Sequence, residues 1–147
     1  MGNTEAALRG ASVVAVDINP HAVECCRLNA KRHNVASSID ARVGEEFAPI
    51  RPEERFDVIV AGLPWDNSPA EDVVALSMYD PDFKMRNALF QNAARVLRPG
   101  GRILMTYAEF IEQRCPLRET VDGYKFKIAI ERTIKGEPHY VYVVEPE

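Results

Sequence analysis

The sequence has little cysteine, no long hydrophobic run and no excess of positive charge. Each of these absences excludes some classes of protein. Its three cysteines, Cys25, Cys26 and Cys115, are odd in number and two are adjacent. A disulfide framework is therefore not expected, and we expect the protein to reside in a reducing cytoplasm. No apolar stretch approaches the roughly 20 residues that a membrane helix needs, so no membrane partner is expected. No Cys or His spacing predicts a zinc site or another metal centre.

The net charge of −4 argues against a self-sufficient nucleic-acid binder, which would need a basic face. It leaves open an enzyme that meets RNA through one local patch. The length of 147 residues fits a single domain with a hydrophobic core, and we expect residues 1–147 to form that domain.

Strand-like and helix-like patterns alternate along the chain. The apolar run 11–18 predicts a buried parallel strand, and Asn19-Pro20 predicts the start of a helix that continues to His33. Further strands are predicted at 39–43, 56–61, 102–107, 124–132 and 140–144, and a second helix at 83–97. The order predicts a three-layer α/β sandwich with a mostly parallel sheet, closed by an antiparallel pair of strands joined near Gly136.

Ligands of such sheets bind beyond the carboxyl ends of the strands. Asp17 closes the first predicted strand, where its carboxylate is equally suited to hold a nucleoside ribose or to cap the following turn. Gly44 and Glu45 follow the second strand and suit contact with an adenine amine, although a solvated acidic turn is the commoner role of such a pair.

The third strand end carries Gly62, Leu63, Pro64 and Trp65. A proline after a central strand exposes backbone carbonyls, and a tryptophan offers a flat face for stacking. Taken alone, the segment favours a buried Trp at the sheet edge somewhat more than a ligand-binding role. Because all three sites are expected at one edge of one sheet, the ligand-binding interpretation gains weight for each of them.

Three segments carry a family resemblance: VVAVDINPHAVECCRLNAKRHNV, FDVIVAGLPW and FQNAARVLRPGGRILMTYAE. In this order the chain resembles the Rossmann-like class I methyltransferases that use S-adenosyl-L-methionine. Within them it is most similar to the release-factor glutamine methyltransferases and the small-domain RNA guanine methyltransferases. The resemblance covers nearly the whole chain and implies transfer of a methyl group to an RNA base, a protein side chain or a small molecule.

The resemblance also implies roles for individual residues. Asp17 corresponds to the acid that holds the cofactor ribose, Ile18 lies beside the adenine, and Gly44 and Glu45 lie near the adenine amine. The four residues that occupy the motif for the methyl acceptor, and so the catalytic position, are Gly62, Leu63, Pro64 and Trp65. Asp66 and Tyr79 are candidate bases by location, although capping and packing roles are favoured for both.

The chain departs from the family pattern in two places. Gly2 matches the last glycine of the family's cofactor loop, but the preceding strand and glycines are absent, so we expect an N-terminally incomplete domain that binds the cofactor weakly. Gly62 and Leu63 stand where the family has Asn or Asp and a proline, which weakens the case for methylation of an amine. Absence of the strand would leave two strand edges unpaired, and these predict direct closure or, with slight preference, a homodimer.

Two other functions stay open at this point. One is a catalytically inactive remnant that acts as an interaction module. The other is a different nucleotide-binding α/β domain, such as a dehydrogenase, and the closing antiparallel strand pair argues against it.

Overall fold

The computed structural model describes residues 2–64, 66–108 and 121–147, and they form two compact units, residues 1–51 and 52–147. In the first unit, helix α1 is followed by a strand, a longer helix and a second strand. Their bounds are α1 Gly2–Leu8, β1 Val13–Asp17, α2 Pro20–Arg32 and β2 Ile39–Val43. Helix α1 was not predicted from the sequence.

Helix α2 begins where the sequence predicted. The side chain of Asn19 accepts a hydrogen bond from the backbone N–H of His21 at 2.9 Å, and Pro20 takes the first helical position. Past the helix end, Asn34 adopts a left-handed φ of 58° and turns the chain back. The helix thereby returns the chain to the same end of the unit, so that β2 pairs parallel to β1.

A small apolar cluster holds the first unit together. Ala7 of α1, Ala30 of α2 and Val35 are buried, and Val13 and Ile39, which begin the two strands, pack against them. The register runs from Val13 beside Ile39 to Asp17 beside Val43. The carboxyl ends of β1 and β2 therefore lie side by side, which sets the position of the predicted cofactor residues.

The second unit contains a four-stranded mixed sheet in the order β3-β4-β6-β5. Strand β3 pairs parallel to β4, β4 pairs antiparallel to β6, and β5 pairs antiparallel to β6. The bounds are β3 Phe56–Ala61, α3 Lys84–Val96, β4 Leu97–Ala108, β5 Tyr124–Ile134 and β6 Glu137–Pro146. The predicted combination of parallel and antiparallel strands is confirmed, but β1 and β2 pair with each other in a separate two-stranded sheet and not in the one sheet that the sequence predicts. The turn between the last two strands lies at Lys135 and Gly136, which both have positive φ.

Helix α3 runs from Lys84 to Val96, one residue inside the predicted helix 83–97 at each end. Strand β4 already starts at Leu97, and its register with β3 shifts so that residues 98–101 bulge out of the ladder. A Cβ on Gly101 would lie 2.9 Å from the carbonyl oxygen of Arg98 and 3.1 Å from that of Phe56. Only glycine fits this close approach of two backbones.

Helix α3 packs on the sheet through an aromatic chain. The ring of Phe90 lies 5.1 Å from that of Tyr124 and 5.9 Å from that of Phe126, and Phe126 continues to Tyr142. The hydroxyl of Tyr124 donates to the carbonyl oxygen of Phe90 at 2.6 Å. The most deeply buried residues of this unit are Ala93, Val96, Ile103, Met105, Tyr142 and Val144. Within the described ranges, no helix has both the length and the apolar character needed to cross a membrane.

Candidate cofactor site and acceptor segment

Asp17 is the last residue of β1, and its side chain is exposed. Carboxylate oxygen Oδ1 accepts a hydrogen bond from the backbone N–H of Asn19 at 2.8 Å. This contact confirms the turn-forming role, and it also orients the carboxylate at the carboxyl end of the strand. Oxygen Oδ2 has no hydrogen-bond partner in the described part of the chain, so it can accept from a ligand hydroxyl.

Gly44 lies directly beside Asp17. Its backbone N–H donates to the carbonyl oxygen of Asp17 at 3.0 Å, which extends the strand pairing by one step. A Cβ on Gly44 would lie 2.2 Å from Cγ of Pro49, so the proline ring occupies the space that any side chain would need. Arg42 holds the same turn through a 2.8 Å bond from its guanidinium to the carbonyl oxygen of Pro49. The strand end is therefore closely packed.

Glu45 and Ile18 complete this group. Glu45 is exposed and begins a turn in which Ala48 N–H donates to its carbonyl oxygen at 3.0 Å. Ile18 is half-buried and follows Asp17 in the chain. The structure thus brings four predicted cofactor residues, Asp17, Ile18, Gly44 and Glu45, to the carboxyl ends of two adjacent strands.

Gly2 has a different setting from the other predicted cofactor residues. It starts helix α1, and a Cβ on it would meet no atom within 4 Å. The next residue, Asn3, approaches Sγ of Cys26 on α2 at 3.8 Å. The structure therefore places Gly2 on a helix beside α2 and gives it neither a positive φ nor a close neighbour that would require glycine.

The predicted acceptor segment belongs to the second unit and follows β3. Gly62 is exposed and has open space around its Cα, while Leu63 is 5% exposed and Pro64 is half-buried. Trp65 lies outside the described residues. Because Leu63 is buried, its side chain serves packing. Among the described residues of this segment, the backbone of Gly62 and the ring of Pro64 remain for a ligand.

The two candidate bases are tied to each other. Asp66 and Tyr79 form an isolated parallel β-bridge, and Oδ1 of Asp66 accepts from the hydroxyl of Ser68 at 2.5 Å. These contacts support the capping and packing roles. In the described ranges, no group of three or more His, Cys, Asp or Glu side chains is arranged to hold a metal ion.

Sequence reasoning missed Asp80. Its side chain is 3% exposed, and its two carboxylate oxygens accept from the backbone N–H groups of Met85 and Arg86 at 2.7 and 3.0 Å. The signal was present, since Asp80-Pro81 is the same type of helix-start pair as Asn19-Pro20. The apolar periodicity instead predicts a helix that begins at Phe83, which leaves the Asp-Pro pair in the preceding loop.

Comparisons with known proteins identify the family of the chain. A family model described as "Methyltransferase domain" matches residues 3–141. The release factor glutamine methyltransferase of Koribacter versatilis is 29% identical over 148 residues, which is 91% of this chain and 50% of that protein. A bifunctional methyltransferase of Rickettsia felis is 29% identical over 109 residues, 67% of this chain and 20% of that protein. The chain thus spans half or less of the length of these relatives.

Solved structures share the fold. TrmN from Thermus thermophilus superimposes with a TM-score of 0.70 at 19% identity, over 98% of this chain and 40% of that one. The T. thermophilus 16S rRNA N2 G1207 methyltransferase RsmC, solved with AdoMet and guanosine, gives 0.65 at 22% identity, over 96% and 33%. With the family match over nearly its whole length, the chain belongs to the methyltransferase domain family and has its Rossmann-like fold.

Proposed function

We propose that this protein is an S-adenosyl-L-methionine-dependent methyltransferase domain in which Asp17 holds the cofactor ribose. The observation that carries the proposal is the carboxylate of Asp17 at the carboxyl end of β1, oriented through Oδ1 by Asn19 N–H and open at Oδ2. A carboxylate so placed can accept from the two vicinal hydroxyls of a ribose. Membership of the methyltransferase family supports the same assignment.

The surrounding residues fit an adenosine group. Gly44 lies beside Asp17, and the ring of Pro49 packs against it in the space where a Cβ of residue 44 would lie. Ile18 supplies an apolar, half-buried surface, and the exposed carboxylate of Glu45 can accept from an exocyclic amine. The proposed cofactor site therefore consists of Asp17, Ile18, Gly44 and Glu45.

S-adenosyl-L-methionine would supply an electrophilic methyl group on a sulfonium, with a neutral thioether as the leaving group. The chain's own residues bind and orient. Asp17 and Glu45 fix the nucleoside, and the backbone at Gly62 and Pro64 positions the acceptor. These residues contribute binding and orientation. Asp66, the nearest candidate base in sequence, takes part in a loop contact.

For the acceptor, we favour a protein side chain or a small molecule over RNA. The connection from Gly62 to Phe83 carries five acidic residues and neither lysine nor arginine: Asp66, Glu71, Asp72, Asp80 and Asp82. A phosphate backbone would be repelled by this segment, because nucleic-acid affinity rests on neutralising phosphates with basic side chains. Incubation with methyl-labelled cofactor and separated RNA and protein fractions tests this choice. Label in RNA alone would contradict it.

The central test is an NMR titration of the protein with S-adenosylhomocysteine, which detects weak as well as tight binding. Asp17→Asn removes the charge but keeps an oxygen for Asn19 N–H, and we expect it to weaken binding about 10-fold or more, since a hydrogen bond to a charged group contributes about 1.5–3 kcal/mol. Glu24→Gln on the exposed side of α2 is the matched control and should bind as the unchanged protein does. Equal affinity of both variants would remove Asp17 from the site.

A second candidate is a catalytically inactive domain that acts as an interaction module. It is favoured by one observation: Gly62 and Leu63 offer no side chain to an acceptor, because one has none and the other is buried. The titration distinguishes the two functions. An absence of saturable shifts at Ile18, Gly44 and Glu45 at millimolar S-adenosylhomocysteine would support the interaction module.

We further propose a homodimer through the free edge of β3. In the part of the chain that the structure describes, β3 has a strand partner on one side only, and Val60 is 78% exposed. An apolar edge with unpaired backbone groups favours association. Light scattering should then give twice the monomer mass, and Val60→Lys should reduce it. A monomer at all concentrations would contradict this proposal.

We also place the protein in the cytoplasm. Cys25 and Cys26 are adjacent free thiols on α2, and Cys25 is exposed. Exposed free thiols persist in a reducing compartment. Cell fractionation tests the placement, and recovery in an oxidising compartment would contradict it.

A further inference from the structure

A buried carboxylate lies outside the proposed chemistry. Among the described residues, Asp80 is the one charged residue that is buried, with 3% of its surface exposed. It sits in the long connection between β3 and α3, which starts with the acceptor segment. Burial of a carboxylate is costly unless its oxygens are hydrogen-bonded. The hydrogen bonds of Asp80 therefore indicate which parts of the structure its burial stabilises.

One side of Asp80 faces helix α3. Its two oxygens accept from Met85 N–H and Arg86 N–H at 2.7 and 3.0 Å, which satisfies two of the free donors in the first turn of the helix. Phe83, which directly precedes the helix, supplies no side-chain cap. Asp80 thus caps α3 from four residues before its start, with a charge that suits the positive end of the helix.

The backbone of Asp80 faces the beginning of the connection. Its N–H donates to the carbonyl oxygen of Asp66 at 2.7 Å, and the preceding Tyr79 forms the β-bridge with the same Asp66. A second hydrogen bond joins the same two parts of the connection, and this second tie runs from Asp82 N–H to the side-chain oxygen of Asn67. Asp66 directly follows Trp65, so Asp80 joins the acceptor segment to the start of α3.

Strained backbone separates Asp80 from the helix. Asp82 and Phe83 have φ values of 55° and 51°, in the left-handed region that favours glycine. Such a backbone conformation is unfavourable for a residue other than glycine and persists only where the surroundings enforce it. The carbonyl of Asp80 accepts from Phe83 N–H at 2.9 Å and its carboxylate binds the next turn. Asp80 therefore makes hydrogen bonds both to Phe83, within the strained pair, and to the first turn of α3, which follows it.

We propose that Asp80 is a positioning residue for the acceptor segment, Gly62 to Trp65, and that it acts through Asp66. It anchors the end of that segment to helix α3. The proposal rests on the proposed function, which assigns the methyl acceptor to this segment. The expected consequence is that loss of the carboxylate releases the segment while the fold and the cofactor residues stay intact.

The test uses Trp65, because it is the single tryptophan of the chain and its fluorescence reports on the acceptor segment alone. Asp80→Asn preserves size but replaces one acceptor oxygen with a donor, so one N–H of α3 loses its partner. We expect a red-shifted emission maximum and a larger acrylamide quenching constant for Trp65. The emission maximum and the quenching constant are both measured below the unfolding transition. A circular dichroism spectrum equal to that of the unchanged protein shows there that the variant is folded. A loss of stability alone then leaves both fluorescence quantities unchanged.

Asp72→Asn is the matched control. Oδ1 of Asp72 accepts from Val74 N–H and Ala75 N–H at 2.9 and 2.8 Å, so it caps a turn in the same connection and makes no hydrogen bond to Asp66. Its fluorescence should match that of the unchanged protein. Equal quenching in all three proteins, or an equal rise in both variants, would overturn the positioning role.

Two further measurements keep the test decisive. If Asp80→Asn does not fold, Asn67→Ala cuts only the second tie, and it should raise quenching of Trp65; no rise would overturn the proposal. The titration with S-adenosylhomocysteine should give the same affinity for Asp80→Asn as for the unchanged protein. An unchanged protein that fails to bind refutes the proposed function, whereas the fluorescence contrast still decides the role of Asp80.

Discussion

The connections that follow strands β1 and β3 differ in how they are held. The turn after β1 is short, and a contact between neighbours in the sequence, Asp17 to Asn19, sets its shape. The connection after β3 runs over more than 20 residues, and its beginning is held by Asp80, 14 residues beyond Asp66. The difference teaches that the proposed cofactor residues are positioned locally, whereas the acceptor segment depends on contacts that form only when the unit folds.

Substitution at the glycine of each connection should show the largest contrast. Gly44→Ala would place a Cβ 2.2 Å from the ring of Pro49, and we expect a loss of about 1–3 kcal/mol in the free energy of unfolding, as is typical of overpacking. Gly62→Ala, which has open space, is the control. Urea unfolding followed by circular dichroism measures both. Equal losses would show that the turn at Gly44 is not closely packed.

Removal of the long-range cap should have the next largest effect. Asp80→Ala leaves two helix donors without their carboxylate, and we expect a loss of about 2 kcal/mol. Asp72→Ala, an exposed cap in the same connection, should cost about half as much or less. Thermal unfolding of both variants measures the difference. A larger cost for Asp72 would reverse the ranking of the two caps.

Removal of the local cap tests the other side of the comparison. Asn19→Ala loses the bond from His21 N–H and should cost about 1 kcal/mol. Asn19→Asp keeps the acceptor and should retain most of that stability. Because the contact is local, hydrogen exchange should increase in the first turn of α2 and stay unchanged in α3. An increase throughout the chain would show that the cap is not local.

The smallest effect is expected at Tyr124, away from both connections. Tyr124→Phe loses the bond to the Phe90 carbonyl, which contributes about 0.5–1.5 kcal/mol. Burial raises the pKa of the Tyr124 hydroxyl above its ordinary value of 10.0, so the folded state favours the protonated form. The stabilisation is therefore complete below pH 10 and declines above it. Stability measured from pH 8 to 11 should fall less in Tyr124→Phe than in the unchanged protein.

Much of the fold was predictable because its signals are local. The Asn-Pro pair placed the start of α2, the apolar runs placed β1 and β3, and the last two strands formed the predicted antiparallel pair. The cofactor assignment of Asp17 and Gly44 stays a prediction, but their proximity follows from the parallel pairing of β1 and β2. The bulge at residues 98–101 was missed as part of β4, because a Pro-Gly-Gly sequence reads as a turn when the neighbouring strand is unknown.

The sequence by itself determined the family, the order of strands and longer helices from β1 onward, and the side-chain types at each strand end. These depend on periodicity, capping pairs and turn residues, which act over a few positions. Only the tertiary structure decided that Leu63 is buried, that Asp66 pairs with Tyr79, and that Asp80 caps α3. The physical reason is that burial and long-range hydrogen bonds depend on which segments pack together, and no local pattern specifies that choice.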